Sequence, residues 1–255
     1  MEFSIKEQQG FRYIEEGEGE VLLLLHGLMG ALSNWREVVD TFRHEYRVII
    51  PMLPIYELPL LTTGVKPLAK FLHKFITFKK LENITLIGNS LGGHVALIYV
   101  LSHPDKIKTL ILAGSSGLYE NSFGGSFPRR ESYDFIKERV EFTFYDPKTA
   151  TKELVDDVFA TVNDRNRVIR ILAMAKSAIR HNMAKELHKI HIPVALIWGR
   201  NDKITPPEVA EEFHELLPDS ELHWVDECGH APMMEQPARF NELLQAYLEK
   251  MKVKT

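Results

Sequence analysis

Residues 88–93 read GNSLGG, with the apolar run ITLI directly before them and HVALIYVL directly after. The first run is short and β-branched, as in a buried strand, and the second is apolar almost all round, as in a buried helix. Gly88 and Gly92 leave room for a backbone turn that larger side chains would obstruct. We therefore predict a strand, a sharp turn and a helix, with the Ser90 hydroxyl raised above the carboxyl end of the strand. A Gly-Ser turn that merely connects the two elements is the alternative.

The rest of the chain alternates in the same way. Short runs rich in leucine or β-branched residues occur at 21–25, 46–50, 84–88, 109–114, 194–199 and 221–226. Segments of helical period separate several of them. FSIKEQ and FRYIEE flank Gln9-Gly10 and predict an antiparallel hairpin at one edge. The pattern predicts an α/β fold with a mostly parallel central sheet of about eight strands and helices on both faces.

The alternation stops between Ser115 and Lys189. Apolar residues recur there at helical spacing in two groups: Leu154, Val155, Val158, Phe159 and Val162, then Ile171, Leu172, Ala175 and Ile179. The segment is too long for one crossover helix and too periodic for a loop. We predict a helical lid at 115–189, inserted into a core domain made of residues 1–114 and 190–255.

Composition limits the environment and the partners. The chain has 255 residues, a formal net charge of −4 and a pI near 6.3, which gives no electrostatic reason to bind nucleic acid or an anionic membrane. Its apolar runs, such as the five residues at 21–25, are far shorter than a bilayer span, and its first residues lack the apolar core of a signal peptide. We predict a cytoplasmic protein without nucleic-acid or membrane partners. The sequence leaves its oligomeric state open.

A serine hydroxyl becomes a strong nucleophile only when a neighbouring base takes its proton. His230, in ECGHAP, follows the last strand-like run and lies in a predicted turn, so we place it at the same edge of the sheet as Ser90. The other histidines weighed for this role, interpreted as packing or surface residues, are His94, His188, His191 and His223. His230 is the predicted base.

A carboxylate is expected to orient that imidazole. Asp202, in GRNDKITPP, directly follows the strand-like run at 194–199 and therefore lies at the same edge. It could instead cap the helix that Pro206 introduces. Asp226 lies only four residues before His230 and is too close along the chain to reach round the ring easily. Asp202 is the predicted third member.

With these residues in the order Ser, Asp, His, nearly the whole chain resembles the α/β-hydrolase superfamily. HGLMG at 26–30 follows a strand-like run and looks like that family's His-Gly oxyanion loop. The resemblance implies that the backbone N–H groups of Leu28 and Leu91 stabilise a tetrahedral oxyanion. It also implies structural roles for His26 and Gly27.

The resemblance implies a serine hydrolase that acts through an acyl-enzyme. Leu28, Met29, Leu91 and the lid suggest a mostly apolar pocket, so we expect a small to medium, largely apolar carboxylic ester as the substrate. Hydroxyl, imidazole and N–H donors supply the chemistry, so we expect no cofactor and no metal. Met29 and Asn89 are candidate pocket residues. Ser90 as nucleophile disfavours the relatives that attack with aspartate, such as haloalkane dehalogenases and epoxide hydrolases, whereas perhydrolases and thioesterases would use the same triad.

Two alternatives remain. GNSLGG, WGRND and CGHAPMMEQPARFN also resemble the hydrolases that cleave carbon–carbon bonds in ring-fission products of aromatic degradation, and Asn89 is a residue that subgroup shares. Ala231, however, stands where those enzymes typically have tryptophan, and PMLPIYELP at 51–59 lacks the acid and glycines that many relatives have there. The second alternative is a non-catalytic ligand receptor or scaffold on the same fold.

Overall fold

The structure, a computed structural model, describes residues 3–29, 35–121 and 129–253. In these residues eight strands form one sheet in the order β1-β2-β4-β3-β5-β6-β7-β8. They are β1 (Lys6–Gln8), β2 (Phe11–Glu16), β3 (Glu20–Leu25), β4 (Tyr46–Pro51), β5 (Ile84–Asn89), β6 (Ile107–Ala113), β7 (Val194–Gly199) and β8 (Ser220–Val225). The pairs β1·β2 and β2·β4 are antiparallel and the others parallel. The predicted mostly parallel sheet, with its edge hairpin, is confirmed.

Helices cover both faces of the sheet. Those described are α1 (Arg36–Phe42), α2 (Val65–Lys79), α3 (Leu91–Ser102), α4 (Tyr133–Phe142), α5 (Lys152–Asn163), α6 (Arg165–Arg180), α7 (Pro207–Leu216), α8 (Pro232–Glu235) and α9 (Pro237–Val253). One apolar cluster contains side chains of α2, α3 and α7, and the other contains side chains of α1 and α9. Within the described ranges, no helix combines the length and apolar character needed to span a bilayer.

The run of leucines in β3 shows why the central strands read as continuous apolar stretches. Leu23 and Leu25 belong to one cluster and Leu22 and Leu24 to the other, and all four are fully buried. Side chains alternate across a strand, so a strand covered on both faces has no polar face. Burial of each leucine contributes about 1.5–3 kcal/mol relative to exposure.

The strand order creates a crevice at the carboxyl edge of the sheet. β3 lies between β4 and β5, so the chain leaves β3 toward one neighbour and later returns on its other side. Loops diverge at such a switch point, and ligands of open α/β sheets bind in the gap between them. His26 begins the loop after β3, and Ser90 follows β5.

Helices α4, α5 and α6 lie between β6 and β7, where the sequence predicts helices. In α5 the buried residues Val155, Val158 and Val162 belong to the predicted stripe. In α6 the prediction is partly wrong, because the buried stripe is Val168, Ile171, Met174 and Ala178. Ile179, which belongs to the group of apolar residues at helical spacing in the sequence, is 49% exposed, because the packed face of α6 is rotated away from it. The domain bounds remain a prediction.

Candidate active site

Ser90 occupies a strained turn between β5 and α3. Its φ of 52° and ψ of −121° are angles that a residue other than glycine rarely adopts. A Cβ on Gly92 would lie 2.3 Å from the carbonyl oxygen of Leu25, and a Cβ on Gly88 would lie 2.5 Å from the backbone nitrogen of Gly93. Glycine at these positions lets α3 begin directly against the end of β3. The strand, turn and helix predicted here are present.

Asp202 and His230 form a buried pair. His230 Nδ1 lies 2.9 Å from Asp202 Oδ2, and the two residues are 7% and 3% exposed. Asp202 Oδ2 also accepts a hydrogen bond from the Thr205 hydroxyl at 2.8 Å. Asp202 Oδ1 accepts from the backbone N–H groups of Ile204 and Thr205. Because the carboxylate accepts from Nδ1, the imidazole carries its proton there, and neutral His230 keeps Nε2 as a proton acceptor.

Nearby carboxylates raise the pKa of His230 above its usual value. Burial is the largest single influence and acts to lower the pKa, because it disfavours the imidazolium. The charge and hydrogen bond of Asp202, with the charges of Glu120 and Glu235, outweigh it. The site therefore stabilises the protonated imidazole, the form that a general base reaches during catalysis.

Asp202 and Asp226 have different surroundings. Helix α7 begins at Pro207 with Pro206 as its N-cap and no side-chain cap, so Asp202 does not cap it. Asp226 is 80% exposed and accepts a hydrogen bond from Arg200 Nε at 2.7 Å. Asp202 is thus the carboxylate in contact with His230.

The side chain of Asn89 joins the Ser90 turn to the His230 loop. Its amide nitrogen donates to the carbonyl of Ala113 at 2.9 Å and to the carbonyl of His230 at 3.2 Å. Both hydrogens of the Asn89 amide thus bond to backbone carbonyls. The predicted pocket role of Asn89 would therefore depend on its side-chain oxygen alone. Among the described residues, no hydrogen bond joins the Ser90 hydroxyl to the His230 ring. The contact between Ser90 and His230 therefore remains a prediction.

The loop after β3 approaches Ser90 closely. A Cβ on Gly27 would lie 3.3 Å from Ser90 Cβ. The backbone N–H of Leu53 donates to His26 Nε2 at 3.1 Å, so Nδ1 carries the proton and donates to the Gly27 carbonyl at 2.9 Å. Burial lowers the pKa of His26, which keeps it neutral. His26 therefore ties the predicted oxyanion loop to the segment 51–59.

The predicted oxyanion donors lie on the two elements that meet here. Leu91 is the first residue of α3, where the unpaired N–H groups of a helix N-terminus favour negative charge. Leu28 follows Gly27 and, like Met29, is half-buried. Gly30, the last residue of HGLMG, lies outside the described residues. The roles of Leu28, Leu91 and Met29 remain predictions.

Glu235 fixes the loop of His230 and was not singled out from the sequence. Its carboxylate accepts hydrogen bonds from the backbone N–H groups on both sides of His230, from Gly229 at 3.0 Å and from Ala231 at 3.3 Å. It also accepts from the N–H of Tyr145 at 2.7 Å, and His230 N–H donates to the Thr143 carbonyl at 3.0 Å. The segment after α4 is therefore attached to the His230 loop. The position of Glu235, five residues after His230, was the available signal.

Other polar groups lie outside this constellation. His94 Nε2 is 3.1 Å from His181 Nδ1, and burial with the nearby His181 lowers the pKa of His94 to about 3, so it stays neutral. A surface cleft of about 600 Å³ is lined by residues including Lys66, Arg180 and His181, and by neither Ser90, Asp202 nor His230. In the described part of the chain, no three His, Cys, Asp or Glu side chains are grouped to hold a metal ion.

The sequence profile of a family described as "Alpha/beta hydrolase family" matches residues 22–243. The chain is 29% identical over 260 residues to the 2-hydroxy-6-oxononadienedioate/2-hydroxy-6-oxononatrienedioate hydrolase of Paraburkholderia phymatum, covering 92% of this chain and 90% of that protein. It is 28% identical over 239 residues to Lipase 3 of a Moraxella species, covering 85% and 73%. Among solved structures it is similar to MGS-MChE2, an alpha/beta hydrolase enzyme from the metagenome of lagoon sediments at Mar Chica, Morocco. The sequence identity is 45% and the TM-score is 0.81, and the match covers 98% of this chain and 99% of that chain.

Proposed function

This chain belongs to the alpha/beta hydrolase family, and from that premise we propose that it is a serine hydrolase of small to medium, largely apolar carboxylic esters. The observation that carries the proposal is the buried contact of 2.9 Å between Asp202 and His230, at the sheet edge where the strained Ser90 turn also lies. An imidazole oriented by a buried carboxylate beside a serine turn is the arrangement that activates a hydroxyl.

In the first step, Ser90 Oγ attacks the ester carbonyl carbon while His230 Nε2 takes the hydroxyl proton. The negative charge passes to the carbonyl oxygen, where the N–H groups of Leu28 and Leu91 stabilise it. Asp202 stabilises the imidazolium. His230 then gives its proton to the alkoxide leaving group as the carbon–oxygen bond breaks, leaving an acyl-serine.

Water completes the cycle. His230 removes a proton from the attacking water, the oxyanion forms again at the same donors, and Ser90 Oγ leaves with the returned proton. The hydroxyl, imidazole and amide groups of this chain account for each proton in the scheme, and the scheme calls on no cofactor.

We propose that the insertion at 115–189 covers this site as a lid. Two contacts support the proposal: Thr143 accepts from the His230 backbone N–H, and Tyr145 donates to the Glu235 carboxylate that holds the same loop. Because these bonds tie the insertion to the base, its position also influences the orientation of the imidazole.

The kcat/KM for ester turnover is predicted to fall as the pH decreases. His230 must be neutral to accept the serine proton, and its pKa is raised, so protonation begins at a higher pH than for an ordinary histidine of pKa about 6.5. Activity is therefore present above the raised pKa and is lost as the pH falls through it. The measurement is kcat/KM against pH with p-nitrophenyl butyrate. A flat profile from about pH 5 to 8 would exclude His230 as the base.

Carbon–carbon bond hydrolysis is the second candidate. It is supported by the similarity to the Paraburkholderia phymatum protein, whose name gives dienedioates and trienedioates as its substrates. Lipase 3 of Moraxella, with nearly the same identity, supports the ester proposal instead. Both reactions would use Ser90, His230 and Asp202, so substrate turnover decides between them.

The deciding experiment compares p-nitrophenyl acetate and butyrate with a 2-hydroxy-6-oxo-dienoate in parallel assays of the purified protein. We expect turnover of the esters and a far lower kcat/KM for the dienoate. The opposite ranking would favour carbon–carbon cleavage. No turnover of any of them beyond the rate in buffer would favour the receptor or scaffold interpretation.

A further inference from the structure

Positive charge is concentrated on helices α2 and α6. Helix α2 carries four lysines and α6 carries five lysines or arginines, and neither helix contains an aspartate or glutamate. The chain as a whole has a formal net charge of −4. Like charges on one helix repel each other, so this distribution is unfavourable unless negative charge is supplied from elsewhere. The two helices therefore form a candidate surface for an anionic ligand.

The two helices meet at the N-terminus of α2. The backbone N–H of Val65 donates to Ser177 Oγ of α6 at 3.2 Å. Gly64 permits this approach, since a Cβ at that position would lie 2.6 Å from the same oxygen. Residues on both sides of this contact line the surface cleft of about 600 Å³. The positive end of the α2 dipole thus lies at the wall of the cleft.

Three cations line this cleft, Lys66 of α2 with Lys176 and Arg180 of α6. All three residues are exposed, and the described lining contains no aspartate or glutamate. Within the described part of the chain, none of the three forms an ion pair. Lys176 and Arg180 are also one helical turn apart, a spacing at which like charges destabilise a helix. An anion in the cleft would relieve this repulsion.

Other cations on the same helices already contact groups of the protein. Lys79 Nζ forms an ion pair with Glu15 Oε2 at 3.0 Å. Arg170 Nε donates to the Leu58 carbonyl at 2.9 Å. The cleft cations have no such contact among the described residues, so their charge is available to a ligand.

His181 also lines the cleft, but as a neutral group. Its Nδ1 lies 3.1 Å from Nε2 of the buried His94, so that ring nitrogen is already paired. Burial, and then the charge of Lys66, lower the pKa of His181, because both disfavour the imidazolium. The positive charge of the cleft therefore comes from its two lysines and its arginine.

We propose that this cleft is a binding site for a phosphate-bearing anion, held by Lys66, Lys176 and Arg180. Three cations exceed the charge of one carboxylate and suit a phosphate monoester, which carries about two negative charges above its second pKa of about 6. Arginine binds phosphate through paired N–H groups and lysine binds it as a point charge. The cleft volume leaves room for the rest of a small ligand. The inference does not depend on the proposed ester hydrolysis, because Ser90 does not line the cleft.

The test is a phosphorus NMR titration of phenyl phosphate with the purified protein at pH 8 and low salt. We expect a Kd of about 1 mM or tighter in the wild type, and weaker binding at about 150 mM NaCl. The double variant Lys176→Gln with Arg180→Gln should raise the Kd by at least about tenfold, and Lys66→Gln by at least about threefold. The matched control, Arg36→Gln with Lys148→Gln, makes the same change in net charge at exposed positions outside the cleft and should leave the Kd unchanged.

The phosphate can belong to a free molecule or to a lipid head group, since the fully exposed Leu61 also lines the cleft. Sedimentation with phosphatidylcholine vesicles, with and without phosphatidic acid, separates these sources. Binding of phenyl phosphate alone assigns a free ligand, and binding to phosphatidic acid that the double variant loses assigns a head group.

Absence of binding to both probes would overturn the inference. Binding that the double variant leaves unchanged, or that the control variant weakens equally, would overturn it as well. The substituted side chains form no hydrogen bond in the described structure, so circular dichroism should show folded variants. If the double variant does not fold, Lys66→Gln makes the same test from α2, and an unchanged Kd in that variant contradicts the site.

Discussion

Replacing Ser90 with alanine is expected to reduce kcat/KM for p-nitrophenyl butyrate by about 10⁴-fold or more. The hydroxyl forms the covalent acyl intermediate, and neither His230 nor the backbone donors can substitute for it. Residual turnover would come from water activated within an otherwise intact site. The substitution also removes no hydrogen bond that the described structure assigns to the Ser90 side chain, so the fold should be preserved.

Ser102→Ala is the matched control for this variant. Ser102 lies at the end of the same helix, α3, and donates to the Ile98 carbonyl at 3.3 Å on the exposed surface. It should retain wild-type kcat/KM, and circular dichroism should show both variants folded. Equal ester turnover by wild type and Ser90→Ala would contradict the nucleophile assignment.

Asp202→Asn is expected to lower kcat/KM by about 10³–10⁴-fold. The amide removes the negative charge that stabilises the imidazolium and can present an N–H where His230 Nδ1–H now donates. The ring would then favour the tautomer with its proton on Nε2, the atom that must accept from Ser90. Asp202 also holds Ile204 and Thr205, so thermal unfolding should be measured alongside turnover.

Asp226→Asn makes the same chemical change at an exposed site and should leave kcat/KM near the wild-type value. The pH profile adds an independent readout. Loss of the Asp202 charge removes the leading influence that raises the His230 pKa, so any residual activity should extend to lower pH. Comparable losses in both variants would point to a general charge effect and contradict the role of Asp202.

The fold was predictable because its signals are local. The leucine run of β3 reports burial on both faces, and Gly88 and Gly92 allow the one turn that places α3 against β3. Asp202 could be inferred because it directly follows a strand, and parallel strands bring their carboxyl ends to one edge. The α6 stripe was partly misread, since a helix packed on several elements has apolar residues on more than one side.

The supporting residues of the site were not predictable in the same way. Thr205 hydrogen-bonds the carboxylate that orients His230, yet from sequence it is an ordinary loop threonine. Glu235 acts through backbone N–H groups, which no side-chain pattern reveals.

The central claim is that Ser90 is a nucleophile activated by His230. Treatment with diisopropyl fluorophosphate followed by peptide mass spectrometry tests it most directly, because this reagent phosphorylates an activated serine hydroxyl and leaves ordinary serines unmodified. We predict one adduct, on the peptide that contains Ser90, formed more slowly as the pH falls through the His230 pKa and strongly reduced in Asp202→Asn. An adduct on another residue, or a folded protein that hydrolyses p-nitrophenyl butyrate while Ser90 stays unmodified, would contradict the account.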